Sequence, residues 1–196
     1  LDYVNSINKV LALKPEILLP SHGMPVHGNA EITKQLVRYR NAIQYVHDET
    51  VKGMNAGKDV YTLMREIKLP VDLDVGESYG KLSWSVRGIY EGYVGWFDLN
   101  PATMYETPAA AVYADLVRLA GGPEKVAALA LERATAAPVE ALHLADVALA
   151  SNARHRGALQ AKLKALEVLR DRCRNSNERG WLEFSIKQTK DMLGEK

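Results

Sequence analysis

The histidine at position 22 is the side chain in this sequence that is best placed to bind a metal ion. It follows the apolar stretch Ile17-Leu18-Leu19-Pro20, which we predict to be a short buried strand, and it lies in a loop rich in glycine and proline. The end of a strand can present an imidazole into a cleft, where neutral histidine is a common zinc ligand. Zinc requires three or four ligands, so His22 cannot hold the ion alone. His27 lies in the same loop, which leaves a small two-histidine site as a weaker interpretation.

A second group of polar side chains lies in residues 79–97, the most aromatic stretch of the chain. Arg87, Tyr90 and Tyr93 recur at helical spacing, so that neighbours in this series share a helix face. A guanidinium beside phenol hydroxyls would form a cradle for an oxyanion. The alternative is an aromatic helix packed in a core, with Arg87 in an ordinary ion pair. Taken alone, the pattern favours this alternative.

The other histidines and the cysteine carry weaker indications of chemistry. His47, His143 and His155 lie on helical patterns, where we expect side chains at the edge of a core or in solvent. Cys173 is the only cysteine, which excludes an internal disulfide and a cysteine-based zinc site. We expect it to be a half-buried helix residue.

The composition excludes two classes of function. The net charge is +1, and the basic residues are scattered among acidic ones along the helical patterns, so nucleic-acid binding is disfavoured. No apolar run is long enough to span a bilayer, so we expect no membrane-spanning segment. The chain begins at Leu1 in the middle of a helical pattern. We therefore expect it to be a piece of a larger protein, and its sequence gives no indication of the cellular compartment.

Helices must position most of these residues. Apolar periodicity predicts a helix over residues 1–13, and a long helix that begins with Asn29 as N-cap and ends near residues 55–57. Asp59 is expected to cap a shorter helix that ends near Ile67. Glycines interrupt the aromatic stretch and weaken any helix there, so close backbone packing or a functional constraint should compensate.

The second half of the chain is rich in alanine and leucine. Thr107-Pro108 predicts a helix start with proline at the first helical position, and Gly121-Gly122-Pro123 separates that helix from the next. Pro138, Ser151-Asn152 and residues 175–177 divide the remainder into about three helices. Antiparallel helix pairs joined by short turns suggest a tetratricopeptide-like stack, although no clean second copy of the period is present.

An ordered set of short motifs over residues 8–105 resembles the alkyl sulfatase family. Residues 19–28 look like the closing motif of the metallo-β-lactamase fold, and the motifs after them look like the dimerisation region of alkyl sulfatases. These later motifs are Tyr45-Val46-His47-Asp48-Glu49-Thr50, Leu69-Pro70, Ser85-Val86-Arg87-Gly88-Ile89-Tyr90, Tyr93-Val94-Gly95-Trp96-Phe97-Asp98 and Asn100-Pro101-Ala102.

The resemblance implies hydrolysis of sulfate esters of alkyl chains by a binuclear zinc centre with a zinc-activated water. By motif, His22 would be the last zinc ligand, Tyr90 would point at the sulfate group, and Arg87 would lie close by. The family tends to carry a histidine, a candidate general acid, in the Tyr/His-Gly pair before this segment. That position is Tyr79 here, and a phenol, with an ordinary pKa of about 10, donates a proton less readily near neutrality.

The sequence departs from the family pattern near the substrate. Trp84 and Gly23 stand where the family usually has histidines, and the loop at 71–78 is shorter than expected. These departures leave open a different ester as the substrate. The metal motif His-x-His-x-Asp-His is absent, so this chain should not hold a binuclear centre by itself.

The resulting expectation is a mainly α chain in three parts. Residues 1–28 would be the helix-strand remnant of a metallo-β-lactamase αββα domain, residues 29–105 a set of dimerisation helices, and residues 106–196 a tetratricopeptide-like tail. We expect a homodimer and a small sulfate ester as substrate. The competing hypothesis is a non-catalytic helical module that binds a peptide or another subunit.

Overall fold

The computed structural model describes residues 1–195, and helices make up most of them. No helix in this range is both long and apolar enough to cross a membrane. Short 3-10 turns lie at Val71–Leu73, Pro101–Met104 and Ala109–Val112. The regular elements are α1 Asp2–Ala12, β1 Ile17–Leu18, β2 Val26–His27, α2 Asn29–Asn55, α3 Val60–Glu66, α4 Leu82–Val94, α5 Tyr113–Ala120, α6 Pro123–Arg133, α7 Pro138–Ser151, α8 Arg156–Arg172 and α9 Ser176–Leu193.

The chain divides into two compact units. The first comprises Leu1–Trp96, and the second begins at Phe97. Helices make up most of the chain, so the expected mainly α fold is confirmed. The part of the chain described has one two-stranded sheet. The narrower domain ranges 1–28, 29–105 and 106–196 stay predictions.

The sheet of the first unit is a short antiparallel hairpin that carries His22 in its loop. Ile17 pairs with His27, and Leu18 pairs with Val26. The predicted strand is present at Ile17–Leu18, but its predicted burial is wrong, because Ile17 is 57% and Leu19 is 73% exposed. A two-stranded hairpin buries little by itself, since a sheet needs a further layer to cover its apolar face.

The long helix α2 begins as predicted near residue 29, but its cap differs from the prediction. Gly28, with φ of 87°, occupies the N-cap position, and Asn29 is the first helical residue. The Asn29 side-chain amide instead donates to the Pro15 carbonyl oxygen over 3.2 Å. Glycine suits the sharp turn from β2 into α2 because it has no Cβ to clash at positive φ.

The core of the first unit lies between α2, α3 and α4. Val46, Leu63, Ile67 and Val86 are buried at its centre. Full burial of side chains of this size stabilises a fold by about 1.5–3 kcal/mol each. Gly53 on α2 allows this packing, because a Cβ there would lie 2.2 Å from Cδ2 of Leu63. The predicted Asp59 cap of α3 is confirmed, since its side chain accepts from the Thr62 amide.

The core of the second unit is built from alanines. Three alanines repeat at i, i+3 or i+4 spacing along each of α6, α7 and α8, the third of the α6 set being the C-cap residue Ala134, and all are at most 4% exposed. Side chains this small let the three helices pack closely. The nine residues are Ala127, Ala130, Ala134, Ala141, Ala145, Ala148, Ala158, Ala161 and Ala165.

The predicted helix boundaries of the second unit are mostly confirmed. Proline starts both α6 and α7, and Asn175 caps α9. The predicted helix start at Pro108 is wrong, because this proline precedes a 3-10 turn and α5 begins only at Tyr113. Within the described residues, four helices follow Gly122, where about three were expected.

Candidate functional site

His22 and Tyr79 lie side by side in the first unit. Their ring centroids are 5.7 Å apart, with an angle of 45° between the ring planes. The Ser21 hydroxyl lies 3.2 Å from Nδ1 of His22. Tyr79 is 60% exposed, and His22 is also exposed. The fold thus brings together the predicted metal ligand and the predicted catalytic residue.

The loop that carries Tyr79 is held on both sides by hydrogen bonds. Before Tyr79, the Asp74 carboxylate accepts from the Gly76 amide over 2.9 Å, and the Arg38 guanidinium of α2 donates to the Asp74 carbonyl oxygen. After Tyr79, the amide of Leu82 at the start of α4 donates a hydrogen bond to the Glu77 carboxylate over 2.7 Å. A carboxylate at this position satisfies one of the open N–H groups at the start of α4 and interacts favourably with the helix dipole.

A cavity of about 970 Å³ lies between α2, α3, this loop and α4, and Tyr79 forms part of its wall. Apolar side chains line much of it: Ile43 of α2, Met64 of α3, Ile67 and Leu69 just after α3, and Ile89 of α4. Charged lining residues comprise three cations and two carboxylates: Arg65, Lys68, Lys81, Asp74 and Glu77. Glu77 already binds the start of α4.

Arg87 and Tyr90 lie elsewhere on α4 and do not line this cavity. The Arg87 Nε donates to the Glu91 carboxylate over 2.6 Å, and this bond raises the pKa of Arg87. The Arg87 side chain is 50% exposed, so the ion pair contributes at most a few tenths of a kcal/mol. Tyr90 is half-buried and packs against the core of the first unit.

The described residues do not complete a zinc site. Within residues 1–195, no group of three or more histidine, cysteine, aspartate or glutamate side chains is arranged to hold a metal ion. Zinc needs at least three protein ligands even where it keeps an open position. His22 can therefore supply one ligand, and the residues near it do not supply the rest.

His47 takes part in a contact that the sequence did not reveal. Its Nε2 lies 2.6 Å from Oη of Tyr93, and its Nδ1 lies 2.8 Å from the Asp48 carboxylate. The hydrogen bond with His47 lowers the pKa of Asp48. Its position on α2 was the one indication in the sequence, because His47 directly follows Val46, which is buried in the core. Its partner on α4 could be found only from the fold.

The remaining candidates have structural roles. His155 caps α8, with its Nδ1 accepting from the Ala158 amide over 3.1 Å, and His143 is exposed on α7. Cys173 is buried rather than half-buried, and its thiol donates to the Asn175 carbonyl oxygen over 3.0 Å.

Comparisons with known proteins agree with this architecture. The chain is 38% identical over 129 residues to a linear primary-alkylsulfatase of Pseudomonas sp. (63% of this chain, 24% of that protein). It is 29% identical over 132 residues to the alkyl/aryl-sulfatase BDS1 of Saccharomyces cerevisiae (65% and 20%). The solved sec-alkylsulfatase Pisa1 from Pseudomonas sp. superposes with a TM-score of 0.84 at 22% identity, over 96% of this chain and 31% of that one.

The chain thus spans only a fifth to a quarter of the length of these curated relatives. The family model described as alkyl sulfatase dimerisation matches residues 61–191. This match begins on α3 and runs through α4 and the alanine-cored helices into α9, so it takes in most of both cores described above. On this evidence the chain belongs to the alkyl sulfatase dimerisation family.

Proposed function

We propose that this chain is the C-terminal part of a zinc-dependent alkyl sulfate hydrolase. In that enzyme it would supply the dimerisation surface and part of the active-site wall. The contact between His22 and Tyr79 carries the proposal, because it joins the expected metal ligand to the expected proton donor. Relatives named as alkylsulfatases support the substrate class.

The cavity beside Tyr79 has the chemistry that an alkyl sulfate needs. Its aliphatic lining from α2, α3 and α4 can accept a hydrocarbon tail, whose burial is favourable by about 0.8 kcal/mol per CH₂ group. Three cations and two carboxylates also line it, so its lining has a small positive charge that would attract an anionic substrate towards it. A different ester with an apolar chain and an anionic head would meet the same requirements.

In this proposal Tyr79 donates a proton to the leaving alkoxide oxygen. Its side chain is exposed at the cavity wall, where a substrate oxygen can reach the hydroxyl. When bound, zinc would supply an activated water for hydrolysis. His22 would be one ligand, and the other ligands would come from residues outside this chain. Arg87 and Tyr90 do not line the cavity, so in this proposal they would contact the sulfate group outside it.

We also propose that the chain forms a homodimer through residues 29–105. Large aromatic side chains are exposed in this range: Trp84 is 42%, Tyr93 is 60% and Trp96 is 76% exposed. Aromatic residues are enriched at protein interfaces and often dominate their binding energy. Light scattering at tens of micromolar should give the mass of a dimer, and a monomer would contradict this part of the proposal.

Paired substitutions locate the dimer surface. Trp96→Glu should shift the chain to a monomer, because a symmetric interface would bring two copies of the introduced carboxylate together. Trp181→Glu changes a tryptophan that is 72% exposed on α9, outside the proposed surface, and should leave the dimer intact. If only Trp181→Glu dissociates the dimer, the surface in residues 29–105 is wrong.

The substrate class is tested in the full-length protein with alkyl sulfates of different chain length. Ile43→Trp should fill the cavity and reduce the rate for long chains more than for short ones. Ile17→Trp, on the exposed hairpin, is the matched control and should not change chain-length preference. Melting curves confirm that both variants fold. Absence of sulfate release from every alkyl sulfate would overturn the proposed substrate class.

A further inference from the structure

A short chain of hydrogen bonds joins α2 to α4, and of its members the proposal above uses only the exposed ring of Tyr93. It runs from Asp48 through His47 to Tyr93, with contacts of 2.8 Å and 2.6 Å. The imidazole and phenol rings lie 5.7 Å apart between centroids and are tilted by 55°. The His47 side chain is only 15% exposed, so the ring is held between the helices and does not turn freely in solvent.

The two partners decide which ring nitrogen of His47 carries the proton. The lowered pKa of Asp48 keeps its carboxylate ionised near neutrality, so the carboxylate can only accept. The Gln44 amide donates to the same carboxylate oxygen over 2.8 Å. Nδ1 of His47 must therefore carry hydrogen. In the neutral ring Nε2 then accepts the hydroxyl proton of Tyr93.

The C-terminal half of α4 needs such a contact. Gly88 and Gly92 lie inside this helix, where glycine lowers helix stability. Among the described residues, a Cβ at either glycine would meet no atom within 4 Å apart from its chain neighbours and the helix's own backbone. Close packing within the chain therefore does not explain them. The hydrophobic contacts of α4 with the core end at Tyr90, one turn before Tyr93.

We propose that His47 is a positioning residue, which holds the C-terminal half of α4 on α2 through its hydrogen bond to Tyr93. Asp48 orients the imidazole, and the bond to Tyr93 fixes the helix. Tyr90 and Arg87 lie one and two turns before Tyr93 on the same helix, so this bond adds to the core contacts that set their places. The consequence for catalysis rests on the proposed function, in which these two residues face the sulfate group.

The hydrogen-bond chain is tested in this protein by NMR, without any activity measurement. Long-range ¹H–¹⁵N correlation at alkaline pH should show His47 as the Nδ1–H tautomer. Tyr93→Phe should shift the Nε2 signal of His47 and leave the exposed His143, an internal reference, unchanged. An Nε2–H tautomer, or a His47 spectrum indifferent to Tyr93→Phe, would overturn the inference.

The positioning role is tested in the full-length protein with a linear alkyl sulfate. His47→Ala and Tyr93→Phe should each lower kcat roughly ten- to a hundred-fold, because small misplacement of a binding group is costly. KM should change less than kcat. The double variant should be no worse than His47→Ala, and His47→Gln, whose amide can still bond to Tyr93, should recover part of the loss.

The outcomes separate this inference from the proposed function. Tyr113→Phe removes a phenol hydroxyl from a half-buried residue at the start of α5, outside the proposed dimer surface, and should not change kcat. If the His47 variants melt at lower temperature but keep full kcat while folded, the contact is only structural and the positioning role is wrong. If the unsubstituted protein hydrolyses no alkyl sulfate while the NMR result holds, the proposed function fails and the hydrogen-bond chain stands.

Discussion

The imidazole of His22 and the phenol of Tyr79 lie with centroids 5.7 Å apart, although one follows β1 and the other precedes α4. The hairpin loop and the loop before α4 therefore meet at one place. Tyr79 also lines the cavity between α2, α3 and α4. A ligand in that cavity would have a hydroxyl at its wall and an imidazole next to that hydroxyl.

Removal of the Tyr79 hydroxyl should slow catalysis with little change in stability. We expect Tyr79→Phe to lower kcat of the full-length protein about a hundred-fold or more, the usual effect of losing a general acid. Tyr79→His should retain more activity, because imidazole donates a proton more readily near neutrality. Sulfate release under saturating substrate measures both.

Tyr113→Phe, outside the proposed dimer surface, is the control for the loss of a phenol hydroxyl, and its kcat should equal that of the unsubstituted protein. Equal kcat for Tyr79→Phe and Tyr113→Phe would show that Tyr79 is not the proton donor. The place of Tyr79 in the active-site wall would then need another explanation, such as substrate contact, which would raise KM.

The cap of α3 should make the first unit sensitive to acid. Hydrogen bonds from Thr62, above all from its hydroxyl, lower the pKa of Asp59 in the folded chain. A lowered pKa stabilises the fold above the ordinary aspartate pKa, and this contribution disappears as pH falls through the folded pKa. Thermal melts from about pH 5 down to about pH 2 should show the loss.

Asp59→Asn separates the charge from the cap. Asparagine is also a good N-cap but does not titrate. Near neutrality this variant should therefore have a melting temperature close to that of the unsubstituted chain, and it should lose less stability on acidification. Asp72→Asn removes one exposed carboxylate outside the cap and is the control for charge. If acidification lowers the melting temperature of Asp59→Asn as much as that of the unsubstituted chain, the Asp59 cap is not the cause of the acid sensitivity.

The alanine core of the second unit should not tolerate larger side chains. Ala145 on α7 is fully buried between close helices, so Ala145→Leu should reduce the free energy of unfolding by about 1–3 kcal/mol. Ala150→Leu adds the same atoms at an exposed position of α7 and should change the free energy of unfolding by less than about 0.5 kcal/mol. Urea unfolding followed by circular dichroism distinguishes the two. Equal effects would mean that the helices can move apart at little cost.

Local sequence signals predicted the helices because the relevant physics is local. Asp59 caps α3 through an amide three residues on, and Pro123 and Pro138 begin helices because proline fits the first helical position. The same reasoning failed at Pro108, where a 3-10 turn precedes α5. It also failed at Asn29, because the strand-to-helix turn required positive φ and so selected Gly28 as the cap.

Tertiary contacts were largely beyond the reach of the sequence. His22 and Tyr79 were each singled out by family resemblance, but nothing in the sequence alone places them in contact. His47 was expected to be an ordinary helix side chain, since its partner Tyr93 lies on another helix and no local spacing relates them. The alanines were visible as composition, but their close packing appears only when α6, α7 and α8 meet.

The central claim is that His22 belongs to the metal centre of a larger hydrolase, and the zinc content of the full-length protein tests it most directly. We expect His22→Ala to bind less zinc per protomer than the unsubstituted protein and to release no sulfate from an alkyl sulfate. His143→Ala, at an exposed position of α7, should retain both the metal and the activity. Full zinc content and an unchanged rate in His22→Ala would contradict the account.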